Sequence, residues 1–180
     1  MEEPLIPREE IGRRVAELAQ RLREDYGEEP LHLVVILKGA IFFAVDLIRA
    51  LGRPVTLGFV SAASYGAGTE SSGEVKLNLE ALGAVEGRHV LVVEDILDTG
   101  LTLAKVKEAI AARAPRSLRL CVLLEKPARK QVPIEADYLG FQIGDRFVVG
   151  YGLDHAERHR ELPDIRALGP EGRSGHRAEA

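Results

Sequence analysis

Tryptophan is absent from this sequence, cysteine and methionine occur once each, and Asn78 is the one asparagine. A single cysteine, Cys121 in "LRLCVLLEK", excludes an internal disulfide and a multi-cysteine metal site, and its apolar setting predicts a buried structural thiol. No apolar run approaches the roughly 18 residues of a bilayer span, and Met1 to Pro30 is charged without an apolar h-region, which points to a cytoplasmic protein with no membrane partner. An excess of positive charge is also missing. The formal net charge of -4 argues against a general binder of nucleic acid, while a local phosphate site stays open. Scarce thermolabile residues and a preference for Arg over Lys follow a thermophile trend, although a GC-rich genome biases arginine use in the same way.

What is present fits one globular domain: 180 residues, 46% of them hydrophobic, suffice for a sizeable core and leave little room for a second. In "REEIGRRVAELAQRLREDYG", Ile11, Val15, Leu18, Ala19 and Leu22 share one helical face, so an amphipathic helix is expected. "LHLVVIL" reads as a buried strand ending at Lys38-Gly39, "AIFFAVDLIRAL" as a helix and "PVTLGFVSAAS" as a strand. "GAGTESSGE" reads as a loop before the short strand "VKLNL". "HVLVVED", "LTLAKVKEAIAAR" and "SLRLCVLLEK" repeat the strand, helix, strand order, and that alternation predicts an α/β fold with a central, mainly parallel sheet flanked by helices. From Asp137 onward, short segments broken at Gly140, Gly144, Gly150 and Gly152 suggest an added hood in place of another βαβ unit. The polar tail "ALGPEGRSGHRAEA" is expected to be frayed.

The stretch "VLVVEDILDTGLTL" carries the chemistry. In an open α/β sheet the carboxyl end of a strand faces the ligand crevice, so Glu94 and Asp95 should lie there. Asp98-Thr99-Gly100-Leu101-Thr102 falls where the chain turns into a helix. Exposed backbone N–H groups, two hydroxyls and the helix dipole at such a turn suit a phosphate monoester. Carboxylates beside a phosphate loop repel its ligand unless they serve sugar hydroxyls, a magnesium ion or a proton, and each role suits a phosphorylated sugar. A bland alternative is that the three acids cap the helix, with Asp98 as N-cap, but capping needs only one.

"VVEDILDTGLTL" resembles the signature of type I phosphoribosyltransferases, which bind phosphoribosyl pyrophosphate (PRPP). "LKGA", "SYG", "LLEKPAR" and "FVVGYGLDHAERHR" follow in the order found in hypoxanthine-guanine phosphoribosyltransferases, a likeness that runs from about Leu31 to Ile165. The resemblance implies a single domain with a hood over residues 1–166, a tail over 167–180, and transfer of the phosphoribosyl group from PRPP to hypoxanthine or guanine with Mg2+. It further implies a homo-oligomer, dimer or tetramer, with no nucleic-acid partner. Glu94 and Asp95 would hold the ribose hydroxyls directly or through magnesium, Thr99, Gly100, Leu101 and Thr102 the 5′-phosphate, and Asp98 would be the general base. Lys38-Gly39 resembles the pyrophosphate loop, with its unusual peptide bond, and Ser64-Tyr65-Gly66 the start of a lid.

Lys126 would donate to the exocyclic oxygen of a 6-oxopurine, Phe147 would stack on the base and the Val148 backbone would read its edge. Asp154, beside the purine, would ligate magnesium, and Arg160 would contact pyrophosphate. Read without the resemblance, Lys38 and Lys126 are surface lysines, Phe147 is core, and "DHAERHREL" is a charged helix whose His155 and His159 lie on the surface. Gly144 stands where a proline is common and Ala40 where a glycine is frequent; neither change removes a functional group. A xanthine-preferring or other type I enzyme, or a PRPP-binding regulator of nucleic acid on the same fold, are the alternatives, and the second would need a basic surface.

Overall fold

Residues 4–64 and 75–169 are described by a computed structural model of the chain. Helix α1 (Arg8–Tyr26) leads into strand β1 (Leu31–Leu37), helix α2 (Ala40–Leu51), β2 (Thr56–Ser64) and the short β3 (Val75–Asn78). Then come β4 (His89–Leu97), α3 (Leu101–Ala111), β5 (Ser117–Glu125), a 3-10 turn (Pro127–Arg129), β6 (Tyr138–Gln142), β7 (Val148–Val149) and β8 (Arg166–Ala167). Strands β1 to β6 form one sheet in the order β3-β2-β1-β4-β5-β6, parallel except for the edge strand β3.

The continuous apolar runs of the central strands bury both faces, as a parallel sheet covered on two sides requires. Strand periodicity divides them: Leu31, Leu33 and Val35 of β1, with Leu91, Val93, Cys121 and Leu123, pack beneath α1 and α2. Val34, Ile36, Val90, Val92, Leu120 and Val122 meet Leu103, Val106 and Ile110 of α3 on the opposite face. Truncating one of these fully buried leucines, such as Leu33 or Leu91, to alanine costs about 2–5 kcal/mol. Burial also pushes the Cys121 thiol far up, the inert structural thiol expected from its setting.

Two features of the register position the site. The chain turns outward in opposite directions from β1 and β4, which makes their boundary the topological switch point of the sheet. Pairing between them ends at Val35 with Val93, although β1 runs on to Leu37 and β4 to Leu97. Beyond that pair the two strands part, while β4 stays bonded to β5 as far as Leu97 with Glu125. A crevice therefore opens beside Glu94 and Asp95.

The carboxyl-terminal part departs from expectation. Tyr138–Gln142, read from sequence as the start of a hood, is the sixth strand of the main sheet, parallel to β5. No α-helix makes that crossover; the 3-10 turn does, which is why the usual strand and helix pattern was missing. The hood proper is the β7–β8 ribbon, and residues 5–6 fasten it through a bridge between Ile6 and Ile165. Ala167 pairs with Val148, and the Leu168 N–H donates to the Phe147 carbonyl at 2.9 Å, so both residues belong to the hood and not to the expected tail. "DHAERHREL" is a succession of turns, with positive φ at Ala156, Glu157 and His159, and not a helix. Among the described residues no helix is long and apolar enough to cross a membrane.

Candidate active site

A cleft of about 340 Å³ lies over the carboxyl ends of β1 and β4. It gathers Lys38 and Gly39 from the turn after β1, Glu94, Asp95 and Asp98 from the end of β4, Lys126 from the end of β5, and Phe147, Val148, Asp154 and Arg160 from the hood. A smaller recess beside it is lined by Glu94, Asp98, Thr99, Gly100 and Thr102. Ser64 closes β2, whereas Tyr65 and the rest of the expected lid lie outside the described residues.

Glu94 and Asp95 are the two most buried acids of the cleft, 9% and 8% exposed. Burial, followed by the neighbouring Asp95 charge, holds the Glu94 carboxyl well above its ordinary range. Asp95 is also raised by burial, although a hydrogen bond from Glu94, backbone N–H groups and the Arg160 charge oppose the effect. Such a pair is costly as two bare anions and suits a hard divalent cation or sugar hydroxyls. No group of three or more His, Cys, Asp or Glu side chains among the described residues is close enough to hold a metal by itself. Asp154 thus does not join Glu94 and Asp95 in one ligand cluster. Its Oδ1 lies 2.8 Å from Arg160 Nη2, and its Oδ2 accepts from the Glu157 N–H at 2.9 Å.

The approach of the β1 turn to this acid pair depends on glycine. A Cβ on Gly39 would fall on Asp95 Oδ2, and one on Gly152, whose φ is 97°, would fall on the Gly39 carbonyl oxygen. The hood is thus seated backbone to backbone on the turn. Arg160 braces the same contact, since its Nη1 donates to the Gly152 carbonyl at 2.7 Å. The Leu37–Lys38 peptide is cis. Lys38 Nζ spans to Glu157 Oε1 at 3.0 Å, an exposed pair that contributes little to stability but ties the turn to the hood.

At the end of β4, Gly100 in the left-handed region (φ 82°) starts α3 and supplies no side-chain cap, while Thr99 Oγ1 accepts from the Leu101 N–H at 3.4 Å. Asp98 is therefore not an N-cap, and Thr99, Gly100 and Thr102 bring the start of α3 to the recess, a helix N-terminus of the kind that suits phosphate. Asp98 instead turns to the far wall: its Oδ1 accepts from Arg129 Nε at 3.0 Å, and its Oδ2 lies 3.9 Å from Lys126 Nζ. Lys126 is 7% exposed, so the surface-lysine reading fails. Phe147 stands edge-on to His155, ring centroids 5.3 Å apart, and His155 is half-buried and not a surface residue. Arg129 escaped sequence reasoning, although "EKPAR" placed it one 3-10 turn after Lys126. Glu157 escaped it as well, because nothing sets it apart from its charged neighbours in "DHAERHREL".

Residues 6–156 match the model of the phosphoribosyl transferase domain. The hypoxanthine-guanine phosphoribosyltransferase of Aquifex aeolicus is 44% identical over 162 residues, 89% of this chain and 91% of that protein. The enzyme of the same name from Bacillus subtilis is 43% identical over 170 residues, 94% of each. Among solved structures, a hypoxanthine phosphoribosyltransferase from Staphylococcus aureus superposes with a TM-score of 0.89 at 43% identity, over 95% of this chain and 93% of that one. Likeness of this extent, over a sheet whose switch point holds the buried acids and the start of α3, means that the chain belongs to the phosphoribosyltransferase family, among its hypoxanthine-guanine members.

Proposed function

We propose that this chain transfers the 5-phosphoribosyl group from PRPP to hypoxanthine or guanine, releasing pyrophosphate; its relatives carry the name hypoxanthine-guanine phosphoribosyltransferase. The observation that carries the reading is a cleft and an adjoining recess, sharing Glu94 and Asp98, that bring together the helix N-terminus at Thr99 to Thr102, a buried acid pair, a carboxylate held by Arg129 and a buried lysine. The 5′-phosphate binds the N–H groups of Thr99 to Thr102, and the ribose hydroxyls bind Glu94 and Asp95. Pyrophosphate lies toward Lys38, Gly39 and Arg160. The purine lies against Phe147, with its 6-oxygen on Lys126 and its edge on the Val148 backbone.

In the reaction the bond from C1 of the ribose to the pyrophosphate oxygen breaks, and the electron pair leaves with pyrophosphate. A ring nitrogen of the purine forms the new bond to C1 and gives its proton to Asp98. The developing positive charge on the ribose faces Glu94 and Asp95. Both acids fit Mg2+, which when bound would neutralise charge on the leaving pyrophosphate. Arg129 and Lys126 lie against the two oxygens of Asp98 and fix its orientation in the cleft. Assembly as a homo-oligomer is supported by the outer face of α2, where Ile41, Phe42 and Val45 are 39–40% exposed beside the cleft.

A steady-state assay with PRPP, magnesium and each of five nucleobases tests the reading. Turnover is expected with hypoxanthine and guanine, lower with xanthine and very poor with adenine. Absence of turnover with both 6-oxopurines hypoxanthine and guanine would overturn it.

A further inference from the structure

At the end of the sheet opposite the cleft, where β1, β2, β4 and β5 begin, lies a second cavity of about 640 Å³. Nothing in the proposed reaction uses it. Its volume falls within the roughly 300–1,000 Å³ typical of small-molecule sites. Pro30, Pro54 and Val55 provide an apolar wall, and Arg88, Arg116 and His89 provide cationic or donor groups.

Glu29 shows where an acid oxygen sits among them. Its Oε2 lies 3.0 Å from Arg116 Nη1 and 3.9 Å from His89 Nε2. His89 Nδ1 is engaged by Ser117 Oγ at 2.6 Å, while its Nε2 is buried without a hydrogen-bond partner. Arg88 makes no ion pair among the described residues, and its contact is a long 3.4 Å hydrogen bond to Thr56 Oγ1. Arg53, adjacent to Pro54, has one guanidinium nitrogen bonded to the Glu29 carbonyl and the other, Nη1, buried without a partner. A buried donor left unpaired carries a desolvation cost that a ligand oxygen would remove. In a chain with a formal net charge of -4, this cavity is lined by two arginines against one carboxylate.

We propose that this cavity binds a small organic anion, with a flat apolar body on Pro30, Pro54 and Val55 and a carboxylate or phosphate on Arg88 and Arg116. The guanidinium fork matches either group in two-pronged fashion, so the acid chemistry is shared and the test separates the two.

The test uses the full chain with its catalytic cleft saturated by GMP, titrated calorimetrically with phenyl phosphate in one arm and benzoate in the other. Two variants accompany it, both far from the cleft: Arg88→Glu, which reverses an exposed charge, and Pro54→Trp, which fills the apolar wall. At least one probe is expected to bind the unaltered chain saturably at one site. Its Kd should rise about tenfold or more in at least one variant, with kcat for the transferase reaction unchanged. No saturable binding of either probe, or a smaller rise in both variants, would overturn the assignment.

Discussion

Arg129 Nε lies 3.0 Å from Asp98 Oδ1, so the acid at the end of β4 is held by a side chain from the 3-10 turn that follows β5. Asp98 is only partly buried, and its other oxygen is 3.9 Å from Lys126. A carboxylate proposed to take a proton from one ring nitrogen gains from being fixed before the substrate arrives. Arg129→Ala is expected to lower kcat by roughly tenfold while the KM for PRPP changes little, and Arg129→Lys to recover part of the loss. Equal kcat in wild type and Arg129→Ala would remove Arg129 as a positioning residue.

Gly39→Ala places a methyl group on the Asp95 carboxylate, and the Gly152 backbone closes the other side of the turn. Neither neighbour is the end of a long side chain that can swing away. Turnover should fall by about a hundredfold or more, with a lower melting temperature, because the turn must shift from the acids it serves. Thermal unfolding and a kcat determination on the same preparation check this; a variant with normal values of both would show that the close approach is dispensable.

The acid pair sets a pH dependence of stability. Folding raises the carboxyl of Glu94, chiefly by burial and then by the Asp95 charge. The folded state therefore binds a proton more tightly than the unfolded one. Its contribution to stability is fully present below the ordinary carboxylate pKa of about 4.3 and is lost as pH rises through the elevated folded value. Glu94→Gln, uncharged at every pH, should raise the melting temperature at neutral and mildly alkaline pH while reducing turnover. A variant less stable than wild type at pH 8 would contradict the sign.

Much of the fold was legible because its signals are local. The helical face of α1, the continuous runs of β1, β4 and β5, and the loss of periodicity at Lys38-Gly39 and Asp98-Thr102 all follow from burial and turn chemistry. Strand β6 was not legible. Tyr138–Gln142 is short, contains Gly140 packed against the Leu123 backbone, and arrives without a crossover helix. The turns of residues 154–162 were likewise hidden, since their charged side chains mimic a helix face while backbone bonds such as Gly152 N–H to the Arg160 carbonyl hold them in place. In the site, the gathering of Glu94, Asp95, Asp98 and the Thr99 to Thr102 turn was visible as a motif. The Arg129 contact was not, because it joins residues 31 positions apart across two strands.

Purine choice should rest on Lys126. Its side chain is 8% exposed and ends in three donors and no acceptor, so it matches the 6-oxygen of hypoxanthine or guanine and opposes the amino group of adenine. Mispairing a desolvated ammonium costs on the order of 1 to 3 kcal/mol or more. Lys126→Ala should narrow the preference for hypoxanthine over adenine, measured as the ratio of kcat/KM values. An unchanged ratio would move the discrimination elsewhere in the pocket.

Magnesium should be required for the leaving group and not for the fold. Chelation with excess EDTA is expected to abolish turnover and leave the circular dichroism spectrum unaltered, since both cores are built of apolar side chains. Full activity in EDTA would contradict the role assigned to Glu94 and Asp95.

The most direct test is the proton. Asp98→Asn preserves the shape of the side chain and its contact with Arg129 through the amide oxygen, but the amide cannot accept the proton shed by the purine. Single-turnover rates with saturating PRPP, magnesium and hypoxanthine should fall by roughly a hundredfold or more, with PRPP affinity retained by the Thr99 to Thr102 cradle. A single-turnover rate near that of the wild type would contradict the assignment of Asp98 as the base.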